Sequence, residues 1–159
     1  MKCEIRIWRG LTLAMLGLIA VACTQKAQTT QTGPEIIVYK SPSCSCCAQW
    51  ASYLRDSGFR VTVRAVNDVD SMRRQFGVPA PLAACHTARV GGYTIVGHVP
   101  VADIERLLQV RPAIAGLAVP GMPVGSPGME RGTGREAYDV MTFDAHGQTS
   151  VYQSYAATP

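Results

Sequence analysis

Three cysteines lie within four residues of one another, in the segment Pro42-Ser43-Cys44-Ser45-Cys46-Cys47. A cysteine thiolate is both a nucleophile and a ligand for soft metal ions. Cys44 and Cys47 have the C-x-x-C spacing of thiol–disulfide exchange. Cys44 and Cys46 form a C-x-C, which can hold one soft ion or bridge two. A structural disulfide from one of them to Cys85 would leave two neighbouring thiols unexplained, so we interpret the segment as a metal or redox site.

Further residues could add ligands to this site: Cys85, His98, Met122 and Met129. His98 falls at the end of a predicted strand, where its side chain can project from the edge of the sheet, and His86 remains open as a ligand. Met122 and Met129 lie among Gly and Pro residues, where no periodic apolar face exists to bury them. A thioether is a poor ligand for zinc and a good one for Cu(I), so thiolate, imidazole and thioether together indicate copper.

The elements around the cysteines predict an α/β domain. A short apolar run, Ile36–Lys40, precedes the cysteines as a strand, and a helix follows them and ends at Gly58. The N-terminus of such a helix favours a thiolate over a thiol. Phe59–Val66 alternates as a strand does, and Asn67 or Asp68 can cap a second helix. This β-α-β-α order predicts a parallel strand pair with a crossover helix.

The second half of the chain is predicted to add strands, one helix and a long loop. The predicted segments are a strand Tyr93–Val96, a helix opened by Pro100 and stopped at Arg111-Pro112, a Gly/Pro/Met-rich loop Ala113–Arg135, and a hairpin of Tyr138–Phe143 and Thr149–Tyr152. The order is similar to that of thioredoxins and glutaredoxins, whose fold places a cis-proline opposite the cysteine turn. That similarity makes Pro79 the candidate cis-proline and places Cys85 near the cysteine turn.

The N-terminus has the layout of a secretory signal. Basic residues precede an uncharged apolar run, Leu11–Ala22, which is too short for a comfortable membrane span. Ala20-Val21-Ala22-Cys23 resembles a bacterial lipobox, so we expect a signal at residues 1–22 with a lipid on Cys23. An ordinary cleaved signal and an uncleaved anchor are the alternatives, and all three place the domain outside the cytoplasm. Residues 23–35 are interpreted as a flexible tether and residues 36–155 as the domain.

Composition narrows the class of function. A chain of 159 residues is long enough for one domain with a sizeable core, and its net charge of +4 is modest. Because no basic patch interleaved with aromatic residues occurs, nucleic-acid binding is not expected. Idle thiols outside the cytoplasm tend to be oxidised, and a bound soft metal would give the cysteines a reason to remain thiols.

Several motifs together carry a resemblance to a known family. They are Cys44-x-Cys46-Cys47-x-x-Trp50, Cys85-His86-Thr87, Gly92-Tyr93, Gly97-His98-Val99-Pro100, Gly116–Pro123 with Met122, and Gly125–Met129. This combination, spread over residues 36–143, resembles the CopG-type copper-resistance proteins, which are periplasmic and thioredoxin-like. The resemblance implies a cluster of several copper ions held by the cysteine motif with further Cys, His and Met ligands, and copper redox activity. The family commonly has Glu directly before the glycine that corresponds to Gly97, and this sequence has Val96 there. In the family, that Glu would orient the histidine that corresponds to His98.

The resulting interpretation is a copper-binding protein of copper homeostasis, with ligands at Cys44, Cys46, Cys47, Cys85, His98, Met122 and Met129. Its expected location is the periplasmic side of a Gram-negative envelope. We expect it to contact the outer membrane only through the N-terminal lipid anchor. The expected partners are copper ions and a periplasmic copper chaperone, efflux or electron-transfer protein. Ligand type does not separate Cu(I) sequestration from Cu(I) oxidation. Three rival interpretations are a thiol–disulfide oxidoreductase using Cys44 and Cys47, a zinc site, and an interaction module with structural cysteines.

Overall fold

The computed structural model describes residues 32–159. The predicted signal at residues 1–22, the lipid on Cys23 and the tether as far as residue 31 lie outside the described residues. Between residues 32 and 159, no helix is both long enough and apolar enough to cross a membrane.

The described part of the chain contains seven β-strands in one sheet and three α-helices. The strands are β1 (Glu35–Lys40), β2 (Arg60–Ala65), β3 (His86–Val90), β4 (Tyr93–Val96), β5 (Gly116–Ala118), β6 (Tyr138–Phe143) and β7 (Thr149–Tyr155). The helices are α1 (Ser45–Asp56), α2 (Val69–Gln75) and α3 (Val101–Val110), and a 3-10 turn covers Ala80–Leu82.

The sheet is mixed, with the strand order β2-β1-β3-β4-β5-β6-β7. β1 pairs with β2 in parallel across the crossover helix α1, as predicted, and β4 pairs with β5 in parallel. The remaining neighbours are antiparallel, and β6 with β7 forms the predicted C-terminal hairpin. The α/β class is therefore confirmed, whereas the similarity to thioredoxins stays a prediction.

Two hydrophobic clusters hold the helices and turns against the sheet. The larger cluster joins α1 and α3 to the sheet through Trp50, Leu54, Ile104 and Leu107, which are fully buried. A smaller cluster joins the 3-10 turn to strands β4–β6 and consists of Leu82, Val96, Ala118 and Phe143, with Ala84 and Met141 packed against it. Burial of a large apolar side chain contributes about 1.5–3 kcal/mol, so the clusters fix the positions of the segments that carry the cysteines.

The predicted elements match the structure to different degrees. Strands β4 and β6 have the predicted bounds, whereas α1 ends at Asp56 and β7 continues to Tyr155. The Asp68 carboxylate accepts a hydrogen bond from the Ser71 N–H and caps α2. Strand β5 was not predicted, since it falls within the segment interpreted as a loop. Three residues are too few to show an alternating pattern, and Gly116 lies so close to the Thr94 carbonyl that a Cβ there would overlap it. The position of β5 in the sheet therefore depends on pairing with its neighbours β4 and β6.

The prediction that Pro79 is a cis-proline is wrong, because residues 32–159 contain no cis peptide bond. Pro79 has φ −59° and ψ 138°, and its carbonyl accepts the Leu82 N–H at 3.0 Å. A trans bond thus suffices for the chain to enter the 3-10 turn. The related expectation, that Cys85 lies near the cysteine turn, is confirmed by the sulfur distances of the site.

Candidate metal centre

The cysteine motif forms the N-terminus of α1. Cys44 is the N-cap residue, with an extended backbone, and its sulfur accepts a hydrogen bond from the Cys47 N–H at 3.3 Å. A sulfur at this position meets the unpaired N–H groups and partial positive charge of the helix end, which stabilise negative charge. Cys44 and Cys47 are joined as a disulfide, which leaves Cys46 and Cys85 as the free thiols among residues 32–159.

Strand pairing brings Cys85 to this helix end. β3 runs antiparallel to β1, and its first residue, His86, pairs with Lys40, the last residue of β1. The segment entering β3 therefore lies beside the turn leaving β1, which carries the cysteine motif. The free Cys46 and Cys85 sulfurs are 4.0 Å apart, although 39 residues separate them in sequence.

Four cysteine sulfurs form one compact group. Cys46 Sγ lies 3.4 Å from Cys44 Sγ, and Cys47 Sγ lies 3.7 Å from the Cys85 carbonyl oxygen. The sulfurs of Cys44, Cys46, Cys47 and Cys85 all lie within 4.8 Å of one another. Such spacing allows one soft ion to touch several sulfurs, or several ions to share them.

Two buried histidines extend the group on the Cys85 side. The Cys85 sulfur lies 3.4 Å from His86 Nδ1 and 3.4 Å from His98 Nε2. His86 Nε2 is buried and has no hydrogen-bond partner within residues 32–159. A buried polar atom without a partner costs free energy, but this atom is not the His86 nitrogen that faces the Cys85 sulfur, which is Nδ1. The sequence left His86 open, and the structure places it beside His98.

Trp50 of α1 packs against the His86 ring. Its ring lies 4.5 Å from that of His86, and its Nε1–H donates to the Val99 carbonyl at 3.0 Å. The His86 and His98 rings meet edge to face at 5.0 Å. Helix α1 thus supplies both the cysteines and the aromatic side chain that supports the imidazoles.

The Gly/Pro/Met-rich loop reaches the site through its backbone. His98 Nδ1–H donates to the Pro127 carbonyl at 2.8 Å, and a carbonyl can only accept, so Nε2 is the unprotonated nitrogen that faces Cys85. Gly128 has φ +81°, and a Cβ there would lie 2.7 Å from the Trp50 backbone nitrogen. The Glu130 carboxylate accepts the Gly128 N–H at 3.0 Å. A loop carbonyl therefore orients His98, while Val96, at the position where Glu is common, is buried.

Burial sets the protonation of these groups in the metal-free protein. Desolvation, with the nearby Cys46 sulfur, raises the pKa of Cys85 to about 12, so its thiol is protonated at neutral pH. Desolvation, with the neighbouring His98, lowers the pKa of His86 to about 3. Desolvation also lowers the pKa of His98, against the opposing effects of Pro127 and Glu130. Both imidazoles are thus neutral at pH 7, the form that binds metal ions.

Arg73 of α2 contacts the segment that carries Cys85. Its Nη1 donates to the Ala84 carbonyl at 2.9 Å, and it also pairs with Asp70. The guanidinium charge opposes the rise of the Cys85 pKa. Arg73 was not identified from the sequence, since nothing in its helical spacing distinguishes it from Arg74.

The two methionines predicted as ligands occupy different environments. Met129 is half-buried and directly follows Gly128, which packs on the backbone of α1 at Trp50. Met122 is 52% exposed and lines a surface cleft together with Met141. The structure therefore brings together five of the predicted ligands: Cys44, Cys46, Cys47, Cys85 and His98. The two methionines lie in different surroundings, since Met122 lines an exposed surface cleft and Met129 is half-buried beside the contact between Gly128 and α1.

Comparison with known proteins places this arrangement in a family. A family model described as "Protein of unknown function, DUF411" matches residues 82–129. A solved structure titled "Copper resistance protein copG- Form 2" is 42% identical to the chain, with a TM-score of 0.74, and the match covers 77% of this chain and 98% of that one. The chain belongs to the CopG family. Form 1 of the same copper resistance protein matches with the same identity and TM-score over 78% of this chain and 99% of that one. No curated protein matches the chain.

Membership of the CopG family confirms the resemblance drawn from the sequence motifs. Two contacts of this CopG-family site could not be predicted from the sequence: the bond from His98 to the Pro127 carbonyl and the bond from Arg73 to the Ala84 carbonyl. The Pro127 carbonyl is a backbone group, and Arg73 is one of several arginines in the chain. Trp50 was recognised as part of the motif, although its contact with His86 could not be predicted from spacing.

Proposed function

We propose that this chain is a periplasmic copper-binding protein of copper resistance that holds several Cu(I) ions as a thiolate cluster. The proposed ligands are Cys44, Cys46, Cys47, Cys85 and His98, with the Met129 thioether supplied by the loop. Met122, which was also predicted as a ligand, is left out of this set because it is 52% exposed and lines a surface cleft with Met141. One observation carries the proposal: four cysteine sulfurs lie within 4.8 Å of one another, and one of them also contacts two imidazoles.

The chemistry of the donor set supports copper as the substrate. Thiolates select Cu(I), zinc and iron–sulfur clusters, while imidazole suits copper and zinc. A zinc site would be complete with four donors in tetrahedral geometry. Once the Cys44–Cys47 disulfide is reduced, His86 and His98 would stand beside four thiols, so the donors of the reduced site would exceed what one zinc ion takes. The surplus favours several ions that share sulfurs, and the two solved structures that match the chain, two forms of one CopG protein, are titled for copper resistance.

The Cys44–Cys47 disulfide gives the site a second redox state. In this state Cys46 and Cys85 are the available thiols, and reduction of the disulfide by two electrons and two protons supplies the other two. Full copper loading in this proposal therefore belongs to the reduced form. Copper ions that share thiolates could also pass electrons to an electron-transfer partner, in which case the protein would oxidise Cu(I). Sequestration uses the same ligands, so turnover has to be measured.

The proposed location follows from the sequence and the family. A signal at residues 1–22 with a lipid on Cys23 would place the domain on the periplasmic side of the outer membrane. Copper chaperones and efflux proteins of that compartment are the partner classes that exchange Cu(I). Labelling with radioactive palmitate tests the anchor, and Cys23→Ala should abolish the label.

Metal content tests the proposal directly. Full-length protein is isolated from copper-supplemented periplasm and envelope under reducing conditions, beside a Cys46→Ser variant and a matched Ser45→Ala control on the exposed neighbouring position. We expect more than one copper per chain in the parent and in Ser45→Ala, and fewer in Cys46→Ser. A parent that carries zinc or no metal would contradict the proposal.

A second candidate function is thiol–disulfide exchange, and the Cys44–Cys47 disulfide is the observation that favours it. The C-x-x-C at a helix N-terminus is the arrangement that activates such thiols. An exchange assay with a reducible protein substrate separates the candidates, because exchange requires Cys44 and Cys47 but neither His98 nor Met129. Exchange that survives His98→Ala, together with unchanged copper content, would favour the oxidoreductase.

A further inference from the structure

A second group of soft donors lies outside the cysteine centre. Met122 and Met141 line the same surface cleft, and Glu136 and Asp139 line it as well. We call this the thioether cleft. Met141 belongs to β6, where it pairs with Ala118 of β5, and Met122 follows β5 by four residues. Sheet pairing and the start of the loop therefore place the two methionines along the same cleft.

The walls of the thioether cleft are fixed by hydrogen bonds. The Gly121 N–H donates to the Ala83 carbonyl at 3.3 Å, which holds the loop beside Met122 against the segment leading to Cys85. Val124 and Glu136 form two bonds: the Val124 N–H donates to the Glu136 carboxylate and the Glu136 N–H donates to the Val124 carbonyl, both at 3.0 Å. The cleft is thus built before any ligand arrives.

The charge of the thioether cleft suits a cation. Its lining, which lies wholly within the described residues, includes two carboxylates and neither Lys nor Arg. Met141 is half-buried against the smaller hydrophobic cluster, whereas Met122 is 52% exposed. A fixed inner thioether with an exposed outer one leaves room for an ion to enter from solvent. Thioethers prefer Cu(I), and nearby carboxylates attract any cation.

The thioether cleft adjoins the cysteine centre without sharing a residue with it. Met141 and Ala84 pack on the same smaller hydrophobic cluster, and Ala84 directly precedes Cys85. The loop next to Met122 is bonded to Ala83, two residues before Cys85. The cleft and the segment that leads to Cys85 are therefore held together by one hydrophobic cluster and one backbone hydrogen bond.

We propose that Met122 and Met141 form a separate, solvent-facing site for one Cu(I) ion, with Asp139 or Glu136 as the charged partner. Two thioethers and a carboxylate bind more weakly than a group of thiolates, so the ion exchanges readily. The site does not depend on the cysteine centre, and it adds a place where Cu(I) is captured outside the cluster.

Methyl NMR of methionine tests this proposal, with Ag(I) as a non-oxidising substitute for Cu(I). The full chain is labelled with ¹³C at the methionine methyl groups and titrated with Ag(I). We expect the Met122 and Met141 signals to shift together at one Ag(I) concentration, and the Met72 signal of α2 to stay in place. Met122→Leu should remove the shift of Met141 or weaken Ag(I) binding there at least about tenfold, equivalent to about 1.4 kcal/mol.

Three controls distinguish the outcomes. Met72→Leu should leave the titration unchanged, and Asp139→Asn combined with Glu136→Gln should weaken it. In a Cys46→Ser/Cys85→Ser variant the joint shift should persist, so failure of the cysteine centre to bind copper would leave this result intact. Separate midpoints for Met122 and Met141, a Met141 shift unchanged in Met122→Leu, or loss of both shifts in the cysteine variant would overturn the proposal.

Discussion

His98 Nδ1 donates to the Pro127 carbonyl at 2.8 Å, and His98 Nε2 lies 3.4 Å from the Cys85 sulfur. One imidazole thus connects the long loop to the cysteine group. A ligand histidine whose other nitrogen donates to a carbonyl is held in one tautomer and one orientation. The loop therefore acts on the proposed metal centre through its backbone, independently of any thioether that it carries.

Gly128→Ala should weaken copper binding. The new Cβ would lie 2.7 Å from the Trp50 backbone nitrogen at a φ of +81°, so the backbone there must shift. We expect the shift to displace the neighbouring Pro127 carbonyl from His98. Loss of such an outer partner typically costs about 10- to 100-fold in metal affinity. Competition with a Cu(I) chelator measures the effect.

Gly132→Ala is the matched control for that experiment. Gly132 has a similar φ of +74°, and nothing lies within 4 Å of its Cβ position. It therefore shares the backbone strain without the clash. Equal losses of affinity in the two variants would mean that loop strain, and not the orientation of His98, governs binding.

Acid should destabilise the metal-free protein. The pKa of His86 falls from 6.5 to about 3 on folding, chiefly through desolvation, so between these values the unfolded chain binds a proton that the folded chain does not. The contribution of His86 to the free energy of unfolding is therefore complete above pH 6.5. It decreases as the pH falls toward 3, by up to about 1.4 kcal/mol per pH unit. Denaturant unfolding at several pH values measures the slope.

His86→Phe separates this effect from other titrations. The substitution keeps an aromatic ring beside Trp50 and removes the titrating nitrogen, so the pH dependence between 6.5 and 3 should become shallower. An unchanged slope would show that other groups, such as His98 or carboxylates, control acid unfolding.

Arg73→Gln should slow alkylation of Cys85 at pH 8. Its guanidinium opposes the raised pKa of Cys85, so removing the charge lowers the thiolate fraction. The charge is the weakest influence on this pKa, so the decrease should be well below the tenfold of about one full pKa unit. Peptide mapping after timed alkylation measures Cys85 separately. Arg74→Gln is the control, because Arg74 is 71% exposed and pairs with Asp68 at 3.6 Å. A rate that falls equally in both variants would contradict a specific effect of Arg73.

Copper binding should quench the fluorescence of Trp50, whose ring lies 4.5 Å from that of His86. The chain has two tryptophans, so the titration is repeated in Trp8→Phe, where Trp50 is the remaining emitter. Trp50→Phe should in addition lose the bond to Val99, which is worth about 1 kcal/mol of unfolding free energy. Emission that persists in copper-loaded Trp8→Phe would place the copper away from the histidines.

Much of the framework could be predicted from local sequence. Strands β4 and β6 have the predicted bounds, Asp68 caps α2 as one of two candidates, and β1 and β2 are parallel. These features depend on alternation, capping residues and short connections, which act between neighbours in the chain. The cysteine motif was recognisable for the same reason, since three thiols within four residues need no fold to bring them together.

Tertiary structure decided the rest. The pairing of β3 with β1 sets Cys85 beside Cys46, and the loop brings the Pro127 carbonyl to His98 across 29 residues of sequence. Strand β5 forms because β4 and β6 flank it, and the same pairing places Met122 and Met141 along one cleft. Contacts of this kind arise from packing and from backbone hydrogen bonds between distant segments, and residue type at one position does not encode them. The sequence alone determined which donor atoms the protein has, and the fold determined which of them meet.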